Sequence, residues 1–326
     1  MKKKIAVAAL CLMLFLTGCQ FGNSHIIVSG TIGSKQVFKI GKLSCDVKEV
    51  KVYLANYQNI YGVAYGIDLW EHDFGEDSLE QYVRNVTLEE LTRIYGMDLL
   101  AESHEMTLTE EERGKVKNAA GEYFASLSEA ECEYLEVSES DIAVYYEHYA
   151  LAQKIYHFLT ESVNEEVSDD EARVMELQQI YVTTSAKADE VSERLRNKED
   201  FAAIANNYNE LPTIQVTVSR DDLPTEVEEV AFQLDNNEIS GRIATENGYY
   251  FIKCLNKYNE ELTEANKSNI VEKREKEAFD DAYNALMSTL SSSFNQDVWE
   301  AVELDLGGEI KTDSFFDVFD RHCGEI

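Results

Sequence analysis

Residues 175–258 have the most informative pattern in the chain and read MELQQIYVTTSAKADEVSERLRNKEDFAAIANNYNELPTIQVTVSRDDLPTEVEEVAFQLDNNEISGRIATENGYYFIKCLNKY. Strand and helix patterns alternate along it. Residues 177–182 are rich in β-forming side chains and 214–218 alternate with period two, which indicates strands. Residues 186–196 and 199–208 instead have helical spacing. The first half of the stretch is therefore predicted to run strand, helix, helix, strand.

The second half of the stretch adds one helix and two strands. Pro224 lies at a helix start, where its missing N–H costs nothing. Strands are expected at 239–244 and 249–255, and Asn247-Gly248 between them is a hairpin signal. The predicted order of the whole stretch is βααβαββ.

Four motifs in this stretch resemble those of the parvulin rotamase family. They are Gln179-Ile180-Tyr181-Val182, Phe201-Ala202-Ala203-Ile204-Ala205, Ala231-Phe232-Gln233-Leu234 with Asn237-Glu238-Ile239-Ser240, and Gly248-Tyr249-Tyr250-Phe251-Ile252. The motifs follow one another in the order typical of the family. The whole arrangement is similar to the PrsA and SurA foldases. The resemblance implies a PpiC-type peptidyl-prolyl isomerase domain.

The resemblance also implies catalytic positions, and in this chain their residues have changed. Family members place two histidines and a cysteine or aspartate beside a proline pocket. The histidine positions here are Gln179 and Tyr250, and the third position falls near Gln215 or Thr217. Neither glutamine nor tyrosine titrates near neutral pH as histidine does. Isomerase activity is therefore expected to be weak or absent. The alternative role of Gln179 and Tyr250 is purely structural, in which they stabilise the sheet.

The peptide-binding residues implied by the resemblance are mostly apolar. Leu223 stands where the family usually has methionine, Val227 replaces a usual phenylalanine, and Phe232 is retained. Tyr249 completes the set. Together with the changed catalytic positions, Leu223 and Phe232 are expected to line one concave face.

The first residues indicate export. Residues 1–18 combine a basic start with an apolar run too short to span a bilayer, which is typical of a signal peptide. Leu16-Thr17-Gly18-Cys19 matches a lipobox, so Cys19 is predicted to be lipidated and 19–35 to be a tether. The alternative is an ordinary secretory signal with an incidental cysteine. The mature chain is expected to be extracytoplasmic and lipid-anchored to the cell membrane.

The segments on either side of 175–258 are rich in helical periodicity. A short strand is expected at 36–43, helices fill the rest of 36–174, and Ser168-Asp169-Asp170-Glu171 reads as a capping box that opens a short helix. A long charged helix is expected beyond Tyr258.

The end of the chain is predicted to return to the first helical region. Its cluster Phe315-Phe316-Val318-Phe319 is not expected to stay in water, so 259–326 is assigned to that return. The resulting fold class is α+β, with a helical SurA-like chaperone domain built from N- and C-terminal segments and an inserted βααβαββ parvulin-like domain.

Composition narrows the possible partners. A net charge of −33 makes nucleic acid an unlikely ligand. The charge could favour cationic or unfolded clients, or it could equally serve only to solvate the helical surfaces. The six histidines are scattered, and no phosphate-binding loop or nucleophile motif occurs. No metal or cofactor is expected. Four mature-chain cysteines other than Cys19 allow either two disulfides or free thiols, and their spacing favours free thiols: Cys45, Cys132, Cys254 and Cys323.

These observations favour a membrane-anchored chaperone or foldase that assists the folding of secreted proteins. Its partners would be unfolded or partially folded secreted polypeptides, and the membrane through the lipid. The alternative is a noncatalytic lipoprotein of the cell envelope that binds a peptide or one partner. A third hypothesis, an active isomerase, differs from the first only in that the protein catalyses prolyl isomerisation.

Overall fold

The computed structural model describes residues 32–64, 67–70, 78–305, 308–324 and 326. The predicted signal peptide, Cys19 and most of the tether lie outside these residues. The chain divides into two compact units. The first comprises the described residues up to Glu161 together with Phe279–Ile326, and the second is Ser162–Ala278. Among the described residues, no helix is both long and apolar enough to cross a bilayer.

The first unit begins with a small antiparallel sheet. Strand β1 (Gln36–Ile40) pairs with β2 (Leu43–Asp46) through a turn in which Gly41 has φ 53°, a backbone conformation that favours glycine. The sequence predicted one strand over 36–43, and the glycine instead folds that segment into a hairpin. The late strand β9 (Ser292–Phe294) pairs with the other edge of β1.

The first helix of this unit, α1 (Val47–Gly62), is followed by two short strands, β3 (Val63–Ala64) and β4 (Ile67–Asp68). It begins at a polar cap. The carboxylate of Asp46 accepts the N–H groups of Lys48 and Glu49 at 2.8 and 3.1 Å, which caps the start of that helix. Helices of the N-terminal part are α1 (Val47–Gly62), α2 (Leu79–Ser103), α3 (Glu110–Ser126), α4 (Glu129–Leu135) and α5 (Glu139–Thr160).

The second unit contains residues 175–258. Its elements are β5 (Met175–Val182), α6 (Ser185–Arg196), α7 (Phe201–Tyr208), β6 (Gln215–Val218), α8 (Thr225–Ala231), β7 (Ile243–Thr245) and β8 (Gly248–Asn256). The four strands form one antiparallel sheet in the order β6-β5-β8-β7. The predicted βααβαββ order is confirmed.

Two local predictions in this unit were wrong. The β7–β8 turn consists of Glu246 and Asn247, and Gly248 already belongs to β8, paired with Thr245. A Cβ atom on Gly248 would lie 2.6 Å from the carbonyl oxygen of Val182, so the glycine serves close strand approach. After Ser168 the chain makes only a turn, closed by the Ala172 N–H at 3.0 Å.

Residues flanking 175–258 also belong to the second compact unit. The hydroxyl of Thr263 accepts the Val174 N–H at 3.1 Å, and the Asn259 N–H donates to the Val174 carbonyl at 2.9 Å. The guanidinium of Arg274 donates to the carbonyl of Asn164 at 2.6 Å. These bonds tie the segment before β5 to the start and the middle of the long helix α9 (Glu260–Met287).

The last helices, α10 (Gln296–Glu300) and α11 (Phe315–Cys323), pack on the N-terminal part of the first unit. Phe315 is fully buried, with its ring centroid 4.4 Å from that of Tyr146 and 5.1 Å from that of Tyr53. Its N–H donates to the side-chain oxygen of Asn56 at 3.0 Å. The helical part is thus built from both ends of the chain, as the fold class predicted.

Candidate functional site

The sheet of the second unit has two faces, which alternate along each strand. One face, called here the α8 face, carries Leu177 and Ile252 and packs against Val227 of α8. The opposite face carries Ile180 and Phe251 and packs against α6 and α7. Each predicted site residue can be assigned to one of the two faces through its strand register.

Gln179 lies on the α8 face and is buried, with 6 % exposure. It pairs with Ile252 across β5 and β8. Its side-chain Nε2 donates a hydrogen bond to the carbonyl oxygen of Thr213 at 3.2 Å, and its N–H donates to the carbonyl of Ile214 at 2.8 Å. The amide therefore already binds the backbone of the α7–β6 loop.

Asn209 organises that loop. Its Oδ1 accepts the Tyr181 N–H at 3.0 Å, and its Nδ2 donates to the carbonyls of Leu211 and Thr213 at 2.9 and 3.1 Å. Asn209 thus holds Thr213 where the Gln179 amide meets it. Sequence reasoning missed Asn209 and Thr213, although an asparagine directly after the predicted helix 199–208 could have been identified as a capping residue.

Tyr250 lies on the same face and pairs with Tyr181 across the two central strands. The ring centroids are 4.7 Å apart, and the Tyr181 hydroxyl donates to the Asn247 carbonyl at 2.6 Å. Partial burial, with a smaller contribution from Tyr181, holds the pKa of Tyr250 above its usual value. Tyr250 is therefore a neutral hydrogen-bond donor at physiological pH. Strand alternation alone could have predicted that Tyr181 lies on the same face as Gln179.

Gln215 does not join Gln179 and Tyr250. It is exposed and pairs with Gln178, which places it on the face opposite Gln179. Thr217 pairs with Glu176 and lies on that opposite side as well. Between them, Val216 pairs with Leu177 on the α8 face. The expectation that Gln215 lines one concave face with Gln179 and Tyr250 was wrong, because the register of β6 sets the face.

Tyr249 is likewise on the opposite face. It pairs with Val182 and packs with the cluster beside α6 and α7, while the guanidinium of Arg242 lies 3.9 Å from its ring centroid. Its neighbour Tyr250 points the other way, as alternation requires. The structure therefore separates Tyr249 from Leu223, Val227 and Phe232.

Those three residues do come together on the α8 face. Val227 is fully buried, Phe232 is 6 % exposed, and Leu223 is half-buried at the edge of the same cluster. Tyr250 also packs against this cluster. The three residues thus form one apolar cluster, called here the apolar wall, of which Leu223 is the partly accessible member beside Tyr250.

Two arginines cover Phe232. The guanidinium carbons of Arg220 and Arg173 lie 4.1 and 4.9 Å from its ring centroid, and Arg173 also donates to the Phe232 carbonyl at 2.9 Å. The exposed carboxylate of Asp170 accepts from Arg220 at 3.0 Å and lies 3.4 Å from Arg173. This clasp limits access to the Phe232 ring. Both arginines lie outside helices and strands, so periodicity could not have indicated them.

The chemistry available on the α8 face is hydrogen bonding and apolar contact. No histidine occurs in the sequence between 162 and 278, so the unit has no imidazole to titrate near neutral pH. Tyr250 can donate to a peptide carbonyl, whereas the Gln179 amide is engaged with Thr213. Among the described residues, no group of three or more His, Cys, Asp or Glu is placed to hold a metal ion. The four described cysteines are unpaired.

Comparison with known proteins gives consistent sequence matches. Residues 137–267 match the family model described as the PPIC-type PPIASE domain. The Foldase protein PrsA of Caldanaerobacter subterraneus subsp. tengcongensis is 25 % identical over 279 residues, which cover 78 % of this chain and 82 % of that protein. The Foldase protein PrsA 3 of Bacillus cereus is 33 % identical over 94 residues, covering 26 % of this chain and 31 % of its own.

A solved structure is similar at a lower level. The crystal structure of peptidylprolyl isomerase PrsA from Bacillus cereus has a TM-score of 0.40 and 18 % identity, covering 75 % of this chain and 95 % of its own.

Proposed function

We propose that this chain, which carries a PPIC-type parvulin domain and resembles a PrsA foldase over most of its length, binds unfolded secreted polypeptides and assists their folding outside the cytoplasmic membrane. The α8 face of the parvulin unit contacts the client. Its prolyl isomerase activity is weak or absent, and Cys19 carries the lipid that anchors the chain to the membrane.

The observation that carries the proposal is the composition of the α8 face. Its apolar wall is accessible at Leu223, beside Tyr250, with Val227 and Phe232 buried behind them, and such a surface suits contact with extended apolar segments. At both family histidine positions it offers Gln179 and Tyr250 instead. The wall supports client binding, while the replaced histidines argue against efficient isomerisation.

Weak catalysis follows from the geometry of those two positions. Rotation about a prolyl amide has a barrier of about 18–20 kcal/mol, which falls when the pocket favours the twisted amide. Here one N–H of the Gln179 amide donates to Thr213, and the residue is only 6 % exposed, so its second N–H is poorly accessible to a client carbonyl. Tyr250 alone remains as a donor beside the wall. A single neutral donor stabilises the twisted state less than a set of polar groups does.

A noncatalytic binder of one dedicated partner is the second candidate, and the clasp over Phe232 favours it. Arg173 and Arg220, tied together by Asp170, cover the retained aromatic ring. A covered ring grips a proline less well and leaves the rim of the face for recognition. The two candidates share the binding face and differ in the range of polypeptides bound.

Two assays separate the possibilities. In a protease-coupled assay with a proline tetrapeptide, the mature protein is expected to change the isomerisation rate less than about two-fold, a difference under 0.5 kcal/mol in barrier. A rate well above this would establish an active isomerase. Suppression of aggregation of several unrelated unfolded proteins would support the foldase. Failure with all of them would favour the dedicated binder.

A further inference from the structure

A buried polar cluster in the first unit has no part in the proposed function. It joins Glu49 of α1, Tyr95 and Asp98 of α2, and His148 of α5. Glu49 is 1 % exposed and Asp98 is 7 % exposed. Charged groups are seldom buried to this extent without partners, because removing them from water is costly. The cluster therefore merits a specific physical explanation.

The contacts centre on the His148 ring. Its Nδ1 lies 3.2 Å from Glu49 Oε1, and its Nε2 lies 4.0 Å from Asp98 Oδ2. The hydroxyl of Tyr95 donates to Glu49 Oε2 at 2.5 Å, and the Tyr95 ring centroid lies 4.9 Å from that of His148. Asp98 Oδ1 is buried with no hydrogen-bond partner among the described residues. One imidazole thus lies between two buried carboxyl groups from different helices.

The environment of His148 favours its charged form. Burial alone lowers the pKa of His148, but the hydrogen bond and charge of Glu49, with the charges of Asp98 and Glu147, outweigh burial and raise it to about 9. Burial raises the pKa of Asp98 to about 8, opposed by His148 and assisted by Glu49. At neutral pH the cluster therefore holds an imidazolium beside a protonated Asp98.

The thiol and phenol groups around the cluster stay protonated in this range. Burial raises the pKa of the Cys45 thiol of β2 well above its usual value, and burial does the same for Tyr95 and for Tyr145 of α5. Glu147, on α5 itself, lies 3.8 Å from Arg113 of α3.

We propose that Glu49, Asp98 and His148 form a proton-dependent latch, which holds α1, α2 and α5 together at neutral pH and loosens them in an alkaline medium. The latch lies wholly in the first unit and does not depend on the α8 face. Because the chain is proposed to work outside the cytoplasmic membrane, the pH of the medium would act on it directly.

The direction of the effect follows from linkage. For His148, a folded pKa above the unfolded value of about 6.5 gives stability that is complete below that value and lost as pH rises through about 9. For Asp98, the folded chain keeps a proton that the unfolded chain loses above about pH 4, so stability falls from there to about pH 8. Both groups therefore destabilise the fold as pH rises.

Thermal unfolding of the full mature chain tests the latch. Both tryptophans of the sequence, Trp70 and Trp299, lie in the first unit, so tryptophan fluorescence reports its unfolding. Between about pH 6.5 and 9.5 we expect the Tm of the wild type to fall by roughly 5–10 °C. Asp98→Asn keeps a neutral side chain and should fold at pH 7. Over this pH range the fall in Tm should be at least a third smaller for Asp98→Asn than for the wild type.

The control is Glu89→Gln, which removes one exposed carboxylate from the same helix. It should keep the wild-type dependence on pH. His148→Gln should flatten the dependence further and lower the Tm at pH 6.5, since Glu49 then loses its cationic partner. Parallel Tm curves for the wild type and Asp98→Asn would overturn the proposal, whether or not His148→Gln folds.

Discussion

The side-chain amide of Gln179 donates a hydrogen bond of 3.2 Å to the carbonyl oxygen of Thr213. We propose from the sequence resemblance that Gln179 occupies the first histidine position of parvulins, and Thr213 lies in the loop that Asn209 holds against β5. The bond fixes the glutamine as part of the loop instead of leaving it facing a substrate. It is the clearest physical reason to expect binding without efficient isomerisation.

Any residual isomerase activity should be independent of pH. Gln179 does not ionise, and burial holds the pKa of Tyr250 above its usual value, so neither group changes charge between about pH 6 and 8.5. We expect the catalysed rate, corrected for the uncatalysed one, to vary less than two-fold over this range. The measurement is the exchange rate of a proline peptide followed by NMR. A rate that rises or falls ten-fold with an apparent pKa near 6.5 would point to a histidine outside this unit.

The close approach of β8 to β5 predicts a large cost for Gly248→Ala. The added Cβ would lie 2.6 Å from the Val182 carbonyl oxygen, so the strands must separate, at a cost of about 1–3 kcal/mol. Gly241→Ala is the matched control, because a Cβ there meets nothing within 4 Å. Hydrogen exchange of β5 amides in the two variants measures the difference. Equal protection would show that the strand pairing is wrong.

Packing of the chain end predicts that Phe315→Ala destabilises the first unit by about 3–5 kcal/mol. The ring is fully buried among Tyr53, Tyr123 and Tyr146. Phe158→Ala, at a side chain that is 51 % exposed, should cost less than about 1 kcal/mol. Urea unfolding followed by tryptophan fluorescence compares them. A small effect of Phe315→Ala would mean that the C-terminal helix is not part of this core.

The lipid anchor predicts that Cys19→Ala moves the protein from the membrane fraction to the soluble extracytoplasmic fraction. Three acyl chains bind durably because each buried methylene contributes about 0.8 kcal/mol. Cys45→Ala is the control, since Cys45 is a buried thiol of β2 and should leave the location unchanged. Cys19→Ala protein that stays with the membrane after a high-salt wash would contradict the lipid anchor.

The sequence indicated the order of elements well because the signals were local. Turn residues, the proline at Pro224 and the periodicity of each helix lie within a few residues of the element they define. The face of each strand was less predictable. Gln215 was expected beside Gln179, and only the pairing of β6 with β5 shows that Val216 points there instead.

Contacts between distant segments could not be predicted at all. In the sequence His148 is one of six scattered histidines, yet folding brings it to Glu49, 99 positions earlier. The arginines over Phe232 likewise come from two loops that are separated by the first half of the parvulin stretch. Partners so far apart leave no periodic signal.

Binding of an unfolded polypeptide to two matched variants tests whether clients bind at the α8 face. Tyr250→Asp places a charge on the α8 face beside the apolar wall, and Gln215→Asp places the same charge on the opposite face. With a reduced and alkylated fluorescent client, we expect Tyr250→Asp to raise the Kd at least ten-fold, about 1.4 kcal/mol, and Gln215→Asp to change it less than two-fold. Equal Kd values for the two variants would contradict client binding at this face.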